Sequence, residues 1–203
     1  MITIVNYGMG NLGSVQNMFK RIGVPTEITG DINKIEKAKK LLLPGVGAFG
    51  AAMQRIEESG LRNILDKKVL EEKIPVLGIC LGMQLLTRSS EEASLPGLGW
   101  IAAQTLKFKF PADSPLKIPH MGWNIAHPVK GSPFTENFSN EARFYFVHSY
   151  YVKADNIEDV LSTTYHGINF HSIIQHENIY GAQFHPEKSH KFGMRLLENF
   201  ARL

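Results

Sequence analysis

The sequence predicts an α/β fold in which a mixed, mostly parallel central sheet is flanked by helices and carries an antiparallel β extension. In the first half of the chain, short β-rich runs alternate with segments of helical apolar spacing, an arrangement that produces parallel strands. The second half consists of β-rich runs separated by short turns, followed by a final helical pattern. No repeat or linker divides the 203 residues, so we expect one domain over residues 1–203.

The first half contains four predicted strands joined by helices. The strands are Ile2–Asn6, Thr26–Thr29, Lys40–Leu43 and Val76–Ile79. Val15, Met18 and Phe19 recur at i, i+3 and i+4, which predicts an amphipathic helix after the first strand. Two further helices are expected around Ala51–Ser59 and Leu61–Glu72. Because helices that link parallel strands lie on the faces of the sheet, we expect both faces to be covered.

The second half contains six β-rich runs and a final helix. The runs are Trp100–Phe108, Trp123–Ala126, Arg143–Val152, Asp159–Tyr165, Phe170–Gln175 and Ile179–Phe184. Short segments at His166–Asn169 and His176–Asn178 are typical of hairpin turns and predict antiparallel pairing on either side. Phe192, Leu196 and Phe200 repeat at i+4 and predict the C-terminal helix.

Composition excludes several classes of function. Lys and Arg exceed Asp and Glu by only 22 to 19 and are scattered, so no nucleic-acid partner is predicted. The single cysteine excludes an intramolecular disulfide and a Cys-rich metal centre. No apolar run approaches the roughly 20 residues of a membrane helix, and Met1–Val5 is typical of a strand rather than a signal peptide. We therefore expect a cytoplasmic protein with no membrane association.

The glycine-rich segment Gly8–Gly13 has the pattern G-x-G-x-x-G between the first strand and the first helix. Glu27 follows at about the distance that a dinucleotide-binding fingerprint requires. A tight turn between strand and helix explains the same glycines, and the β-rich second half lacks the second βαβαβ unit of a dinucleotide fold. We interpret the segment as a turn.

A nucleophile elbow is the chemical interpretation of Gly78–Gly82, which reads G-x-C-x-G at the end of a buried strand. A sharp turn would expose the Cys80 thiol, and the small flanking residues would let strand and helix approach closely. The helix N-terminus favours the nucleophilic thiolate, and the Leu81 N–H can point at a developing oxyanion. The alternative is a buried structural cysteine, which a partner base would argue against.

That base is predicted in the segment Gln183–Glu187. On an extended segment, residues two apart face the same side, so His185 and Glu187 can lie together. His185 would accept the thiol proton, and Glu187 would hold the imidazole in the correct tautomer. A core histidine and a surface glutamate are the alternatives for each residue alone.

The segment Pro44–Gly47 directly follows a buried strand and carries two glycines around Val46. Glycines let the backbone approach a ligand and turn an N–H inward, which would supply a second oxyanion donor. The alternative is an ordinary loop. Open α/β sheets bind ligands at the carboxyl edge of their strands, where Cys80 is also expected.

Together these segments resemble the class I (triad) glutamine amidotransferases, which have a flavodoxin-like core, and in particular the HisH family of glutaminase subunits. The resemblance extends over nearly the whole chain. Its segments are Asn6–Leu12, Pro44–Gly50, Gly78–Gln84, Pro119–Asn124, Phe146–Tyr151 and Gln183–Ser189.

The resemblance implies an enzyme that hydrolyses L-glutamine to glutamate and ammonia. Cys80 would attack the side-chain amide to form a thioester, His185 would act as acid and then base, and Glu187 would orient His185. The implied oxyanion-hole residues are Leu81, Val46 and Gly47. The implied glutamine-binding residues are Gly45, Gly47, Gln84, His148, Ser149 and Tyr150. No metal or organic cofactor is implied.

The same resemblance implies a heterodimer with a (β/α)₈ cyclase subunit of imidazole glycerol phosphate synthase. Ammonia would pass through a tunnel to the cyclase, which makes imidazole glycerol phosphate and AICAR in histidine biosynthesis. The residues implied at the subunit boundary or tunnel are Asn11, Met121, Trp123 and Lys188. Core packing is the alternative for Met121 and Trp123.

Other interpretations stay open at this point. Asn6 stands where many relatives carry Asp, and Ser189–Phe192 resembles a branch that supplies ammonia for sugar amidation in surface-polysaccharide biosynthesis. A cysteine hydrolase of the same superfamily, a nucleotide-binding module built on Gly8–Gly13 and an inactive scaffold are further alternatives. The joint presence of Cys80, His185 and Glu187 argues against the scaffold.

Overall fold

Thirteen strands and six helices form the chain in the computed structural model, which describes residues 1–203. The strands are β1 (Ile2–Val5), β2 (Thr26–Thr29), β3 (Leu41–Gly45), β4 (Val76–Cys80), β5 (Ser89–Ser90), β6 (Ala103–Lys107), β7 (His120–Ile125), β8 (His127–Pro128), β9 (Arg143–His148), β10 (Tyr150–Ala154), β11 (Val160–His166), β12 (Ile168–His176) and β13 (Ile179–Ala182). The helices are α1 (Leu12–Arg21), α2 (Ile32–Glu36), α3 (Phe49–Glu58), α4 (Leu61–Asp66), α5 (Leu81–Leu85) and α6 (His190–Arg202).

The main sheet joins a parallel core to an antiparallel extension. Its strand order is β2-β1-β3-β4-β13-β12-β10-β6-β5, with β8 and β11 attached beside β12. The first five strands pair in parallel, whereas β12 pairs antiparallel with both β13 and β10. Because the parallel part follows the order 2-1-3-4-5 of flavodoxin-like folds, the predicted fold class is confirmed.

Apolar layers cover both faces of the parallel core. Along β3, Leu41 and Leu43 belong to one buried cluster, whereas Leu42 belongs to the other. Phe49 of α3 packs in the first cluster, and Phe19 of α1 packs in the second. Burial on both sides is what fixes the register of such a sheet, since a shift by one residue would exchange its two faces.

The predicted run Arg143–Val152 is wrong as a single strand. The chain leaves one ladder at His148 and enters another at Tyr150, because β9 pairs with β7 in a separate two-stranded sheet while β10 pairs with β6 and β12 in the main sheet. Ser149 lies at the junction, where its carbonyl accepts a hydrogen bond from the Phe108 N–H at 3.1 Å. Buried side chains recur at every second residue in both β9 and β10, so the apolar periodicity of the sequence could not reveal the change of sheet.

Both predicted hairpin turns are present. Gly167 has a φ of +75° in the turn between β11 and β12, and Glu177 has a φ of +48° in the turn between β12 and β13. A separate feature of the helices is that none combines the length and the apolarity that crossing a bilayer requires.

Candidate active site

Cys80 ends strand β4 in a strained backbone conformation, with φ of +53° and ψ of −109°. Positive φ is unfavourable for a residue with a side chain, so the surrounding structure must hold Cys80 in this conformation. A Cβ atom at Gly82 would lie 1.8 Å from the Leu43 carbonyl oxygen, and one at Gly78 would lie 2.5 Å from the Gly82 carbonyl oxygen. Both flanking glycines are therefore required for the close approach of β4, α5 and β3.

The thiol of Cys80 is buried between two segments that are distant in sequence. Nε2 of Gln183 donates to its sulfur at 3.9 Å, and the sulfur lies 4.0 Å from the Val147 carbonyl oxygen. The Gln183 side chain has no solvent exposure. Its amide is thus held in one orientation toward the sulfur, a contact that sequence reasoning did not identify.

His185 and Glu187 form a buried pair next to Cys80. Nδ1 of His185 lies 2.8 Å from Oε1 of Glu187, which leaves Nε2 buried and without a hydrogen bond. Burial opposes protonation of His185, but the neighbouring Cys80 sulfur and Glu187 carboxylate outweigh it and raise the pKa of His185 to about 10. An imidazolium between a sulfur and a carboxylate can deliver a proton from Nε2.

The backbone conformation that brings Glu187 next to His185 differs from the sequence prediction. The expected extended segment is instead a single 3₁₀ turn over Pro186–Lys188, with the proline at its first position. Proline suits the first position of a helical turn because its missing N–H needs no partner there. Helix packing holds this turn in place, since a Cβ atom at Gly193 would lie 1.9 Å from the Pro186 carbonyl oxygen.

A cleft of about 340 Å³ opens over the Cys80 thiol. Its lining residues are Val46, Gly47, Cys80, Leu81, Gln84, Glu92, Pro119, Val147, His148, Ser149, Tyr150 and His185. The structure thus brings nearly all of the residues implied at the oxyanion hole and glutamine site to one cavity. Gly45 lies at its edge, paired in register with Cys80, and Glu187 lies behind His185.

Tyr7, which sequence reasoning missed, anchors the end of β3 and the loop that follows it. The Tyr7 hydroxyl donates to the Pro44 carbonyl at 2.6 Å, and a Cβ atom at Gly45 would lie 2.5 Å from that hydroxyl. Beyond it, Gly47 has a φ of +116°, which favours glycine, and Val46 is half exposed. The Tyr7 hydroxyl thus fixes the end of β3 at Pro44, whereas the peptide between Val46 and Gly47 lies next to the exposed Val46 side chain.

Gln84 presents its amide oxygen to the cleft. Nε2 donates to the Tyr150 carbonyl at 3.0 Å and to Oε1 of Gln183 at 3.3 Å, so only Oε1 is left for a ligand. Glu92, also missed from sequence, lines the same cleft and accepts the Phe49 N–H at 2.9 Å. No local signal could have identified Glu92, since an acidic pair at 91–92 is typical of a solvated surface.

Two of the residues implied at the subunit boundary lie on the exposed face of β7. Met121 is 62% exposed and Trp123 is 46% exposed, so the alternative of core packing is wrong for both. The Lys188 ammonium lies 5.5 Å from the centre of the Tyr145 ring. Asn11 caps helix α1, where its side chain accepts the Ser14 N–H at 3.3 Å.

Residues 8–11 of the segment Gly8–Gly13 form a tight turn, and Leu12 and Gly13 begin helix α1. Gly8 and Gly10 have φ values of +81° and +96°, and a Cβ atom at Gly10 would lie 3.4 Å from the Gly45 Cα. Glu27, the acidic residue that a dinucleotide site would use, forms an ion pair with Lys34. Gly8 and Gly10 thus serve the turn, and Gly10 also serves its packing against Gly45.

The fold and the site can be compared with known proteins. Residues 3–203 match the family described as Glutamine amidotransferase class-I. A crystal structure of a glutamine amidotransferase aligns with a TM-score of 0.76 at 18% identity, covering 100% of both chains. The structure of PurLQS from Thermotoga maritima aligns with a TM-score of 0.76 at 16% identity, covering 99% of this chain and 97% of that chain. The chain belongs to the class I glutamine amidotransferases.

Curated relatives narrow this assignment. "Imidazole glycerol phosphate synthase subunit HisH 2" of Methanococcus maripaludis is 54% identical, covering 100% of this chain and 99% of the relative. "Imidazole glycerol phosphate synthase subunit HisH" of Bdellovibrio bacteriovorus is 45% identical, covering 100% of both chains. Within its class, the chain belongs to the HisH family. Since both relatives carry the synthase name, the alternative of sugar amidation is not favoured.

Proposed function

We propose that this chain hydrolyses L-glutamine to glutamate and ammonia, with Cys80 as nucleophile, His185 as general acid and base, and Glu187 orienting the imidazole. The observation that carries the proposal is that a strained Cys80 and His185 line one cleft, with Glu187 buried against His185. Strain and perturbed titration at the same point are typical of functional sites.

The first half of the reaction forms a thioester. The Cys80 thiolate attacks the side-chain amide carbon of glutamine, and the new C–S bond converts the carbonyl oxygen into an oxyanion. When the C–N bond breaks, the proton on His185 Nε2 passes to the departing nitrogen, which leaves as ammonia. The Leu81 N–H and the peptide between Val46 and Gly47 donate to the oxyanion.

The second half regenerates the enzyme. Neutral His185 accepts a proton from water as the water oxygen attacks the thioester carbon, and the C–S bond then breaks to release glutamate and the thiolate. Glu187 keeps Nδ1 protonated throughout, so that Nε2 is the nitrogen that exchanges protons.

Recognition of the amino-acid end of glutamine falls to the opposite wall of the cleft. Oε1 of Gln84 and the Glu92 carboxylate are acceptors suited to an α-ammonium group. The backbone of His148–Tyr150 closes the pocket, and its N–H groups are donors suited to the α-carboxylate.

The ammonia is delivered to a (β/α)₈ cyclase subunit, in a heterodimer that makes imidazole glycerol phosphate and AICAR in histidine biosynthesis. The names of the HisH relatives support this step. The exposed Met121 and Trp123 provide an apolar docking surface, with Asn11 and Lys188 as further contacts. Docking reorients the peptide near Val46 and completes the oxyanion hole, so the isolated chain hydrolyses glutamine slowly.

The test is glutamine hydrolysis by the purified chain, alone and with a histidine-pathway cyclase and its nucleotide substrate. We expect strong stimulation by the complete system and none in a Cys80→Ala variant. A glutamine-analogue affinity label should modify Cys80, as detected by mass spectrometry.

Different results would contradict different parts of the proposal. Labelling of Cys80 without stimulation by the cyclase would move the enzyme to another synthase. Full activity of the isolated chain would contradict the reorientation of the peptide. Absence of both labelling and hydrolysis would overturn the roles of Cys80, His185 and Glu187.

A further inference from the structure

A cluster of histidines extends from the wall of the cleft into the core, and the imidazole rings of this cluster have no role in the proposed reaction. His120 and His148 are almost fully buried, at 4% and 6% exposure, against the rings of Phe108, Phe146 and Phe170. Polar side chains in an aromatic core are costly unless each is hydrogen bonded. The bonds of this cluster form an ordered series that ends at the cleft.

The direction of the series is fixed at its inner end. Nδ1 of His148 lies 2.7 Å from the Tyr150 carbonyl oxygen, which can only accept, so Nδ1 carries the proton. Burial lowers the pKa of His148 to about 3, so the ring is neutral and its Nε2 is an acceptor. Nδ1 of His120, 3.0 Å from that Nε2, must therefore be the donor.

At the other end of the series, hydrogen bonds with Asn124 fix the tautomer of His120. Burial and the neighbouring His166 lower the pKa of His120 to about 4, so its Nε2 is an acceptor for the Asn124 amide at 3.1 Å. The Asn124 Nδ2 also donates to the Tyr165 carbonyl at 2.9 Å, while its Oδ1 accepts the Ile125 N–H at 2.8 Å. These two bonds fix the orientation of the amide, and with it the tautomer of His120.

The Tyr150 carbonyl connects the tautomer of His148 to the glutamine site. Its carbonyl accepts from both His148 and Gln84, so the two donors together hold the oxygen in place. The Tyr150 carbonyl and the His120 donor favour the same His148 tautomer from opposite sides of the ring. Without a donor at position 120, the tautomer with the proton on Nε2 becomes more populated, and its Nδ1 lone pair then faces the Tyr150 oxygen. Repulsion would displace the carbonyl and release the Gln84 amide from the orientation that presents Oε1 to the cleft.

We propose that His120 is a positioning residue for glutamine recognition: by donating to His148 Nε2 it stabilises the His148 tautomer that holds the Tyr150 carbonyl and the Gln84 amide. The inference rests on the proposed glutamine site. His120 touches no substrate, and its effect is confined to the wall that binds the α-ammonium group.

Two substitutions separate hydrogen bonding from packing. His120→Phe keeps an aromatic ring among Phe108, Phe146 and Phe170 but cannot donate. His120→Asn packs less well, yet its amide nitrogen occupies the position of Nδ1 and can donate to His148. If His120 serves only packing, His120→Phe should retain more of the glutamine preference than His120→Asn. If His120 is a positioning residue, His120→Asn should retain more of it than His120→Phe.

The measurements are kcat/KM for L-glutamine and for glutaramate, which lacks the α-amino group, in the partner-stimulated enzyme. We expect His120→Phe to reduce the preference for glutamine about tenfold, the effect of weakening one hydrogen bond to a charged group. The rate of Cys80 alkylation by iodoacetamide should not change, and His120→Asn should retain most of the preference. Parallel loss with both substrates, or a wild-type preference in His120→Phe, would overturn the inference.

A second measurement needs no variant. ¹⁵N spectra of the wild-type imidazoles should show His148 protonated at Nδ1 alone between pH 5 and 8, and a protonated Nε2 would overturn the inference. Absence of glutaminase activity in the stimulated wild-type enzyme would overturn the proposed function itself. Normal wild-type activity with unchanged substrate preference in His120→Phe would overturn only the role of His120.

Discussion

Nδ1 of His185 lies 2.8 Å from Oε1 of Glu187, and the two side chains are only 2% and 4% exposed. Solvent therefore screens their interaction little, and an attraction that would be weak at the surface becomes strong. The second carboxylate oxygen, Oε2, is buried without a hydrogen bond. The Glu187 charge is thus directed almost entirely at His185, and together with the neighbouring Cys80 sulfur it raises the pKa of this buried imidazole.

Neutralising this carboxylate should impair catalysis without unfolding the protein. In Glu187→Gln the pKa of His185 should fall from about 10 toward its ordinary value, and kcat for glutamine hydrolysis should drop about 10²-fold or more. Imidazole titration by NMR and steady-state kinetics measure the two effects. Glu177→Gln, which removes an exposed partner of Lys73, is the control and should retain wild-type kcat. An unmoved His185 pKa would contradict the prediction.

Stability should be greatest near pH 6.5, as far as the histidines determine it. The raised pKa of His185 contributes stability that is complete below pH 6.5 and is lost as the pH rises toward 10. The lowered pKa values of His120 and His148, about 4 and about 3, contribute stability that is complete above pH 6.5 and is lost as the pH falls.

Urea unfolding at pH 5.0, 6.5 and 8.5 measures this dependence. Each fully linked histidine changes the free energy of unfolding by about 1.4 kcal/mol per pH unit. The slope between pH 6.5 and 5.0 should be smaller in His120→Phe, which removes one of the titrating groups. An unfolding free energy that rises steadily from pH 6.5 to 5.0 would contradict the burial of neutral histidines.

The elbow should not tolerate a methyl group at Gly82. Its Cβ would lie 1.8 Å from the backbone oxygen of Leu43, so Gly82→Ala must separate β3 from α5 at a cost of about 3 kcal/mol or more. Gly13→Ala is the matched control, since no atom lies within 4 Å of its Cβ position and it is the second residue of helix α1. That change should not destabilise the chain, and any gain should stay below about 1 kcal/mol, the value for a helix interior. Thermal unfolding of both variants decides the comparison.

Trp123 should contribute strongly to binding of the cyclase. Its ring is half exposed and stacks on His190 at 5.6 Å between ring centres, so it is held ready for a partner at little entropic cost. We expect Trp123→Ala to weaken the complex at least about tenfold in calorimetric titration.

The control for Trp123 is Ile157→Ala. Ile157 is 63% exposed and precedes Asp159, which bonds His176 beside the turn that ends at Asn178. Because Asn178 accepts from the Val76 N–H, this region lies at the amino edge of β4, opposite Cys80. Equal binding by both variants would place the docking surface elsewhere.

Much of the fold followed from local patterns in the sequence. Apolar residues at period 2 or 3.6 and glycines at turns report on the conformation of neighbouring residues, which is why the parallel core and the β4–α5 elbow could be predicted. Cys80, His185 and Glu187 could be predicted as site residues for the same reason, since each lies within a short segment of distinctive spacing.

Only the tertiary structure decided how these segments meet. Gln183 reaches Cys80 across 103 residues, Gln84 reaches Tyr150 across 66, and Tyr7 reaches Pro44 across 37. A side-chain amide or hydroxyl carries no local signal of its partner, because its hydrogen bond depends on strand order and on register. The switch of ladders at Ser149 was hidden for a related reason: alternation describes a strand's two faces, but only packing selects the sheet that it joins.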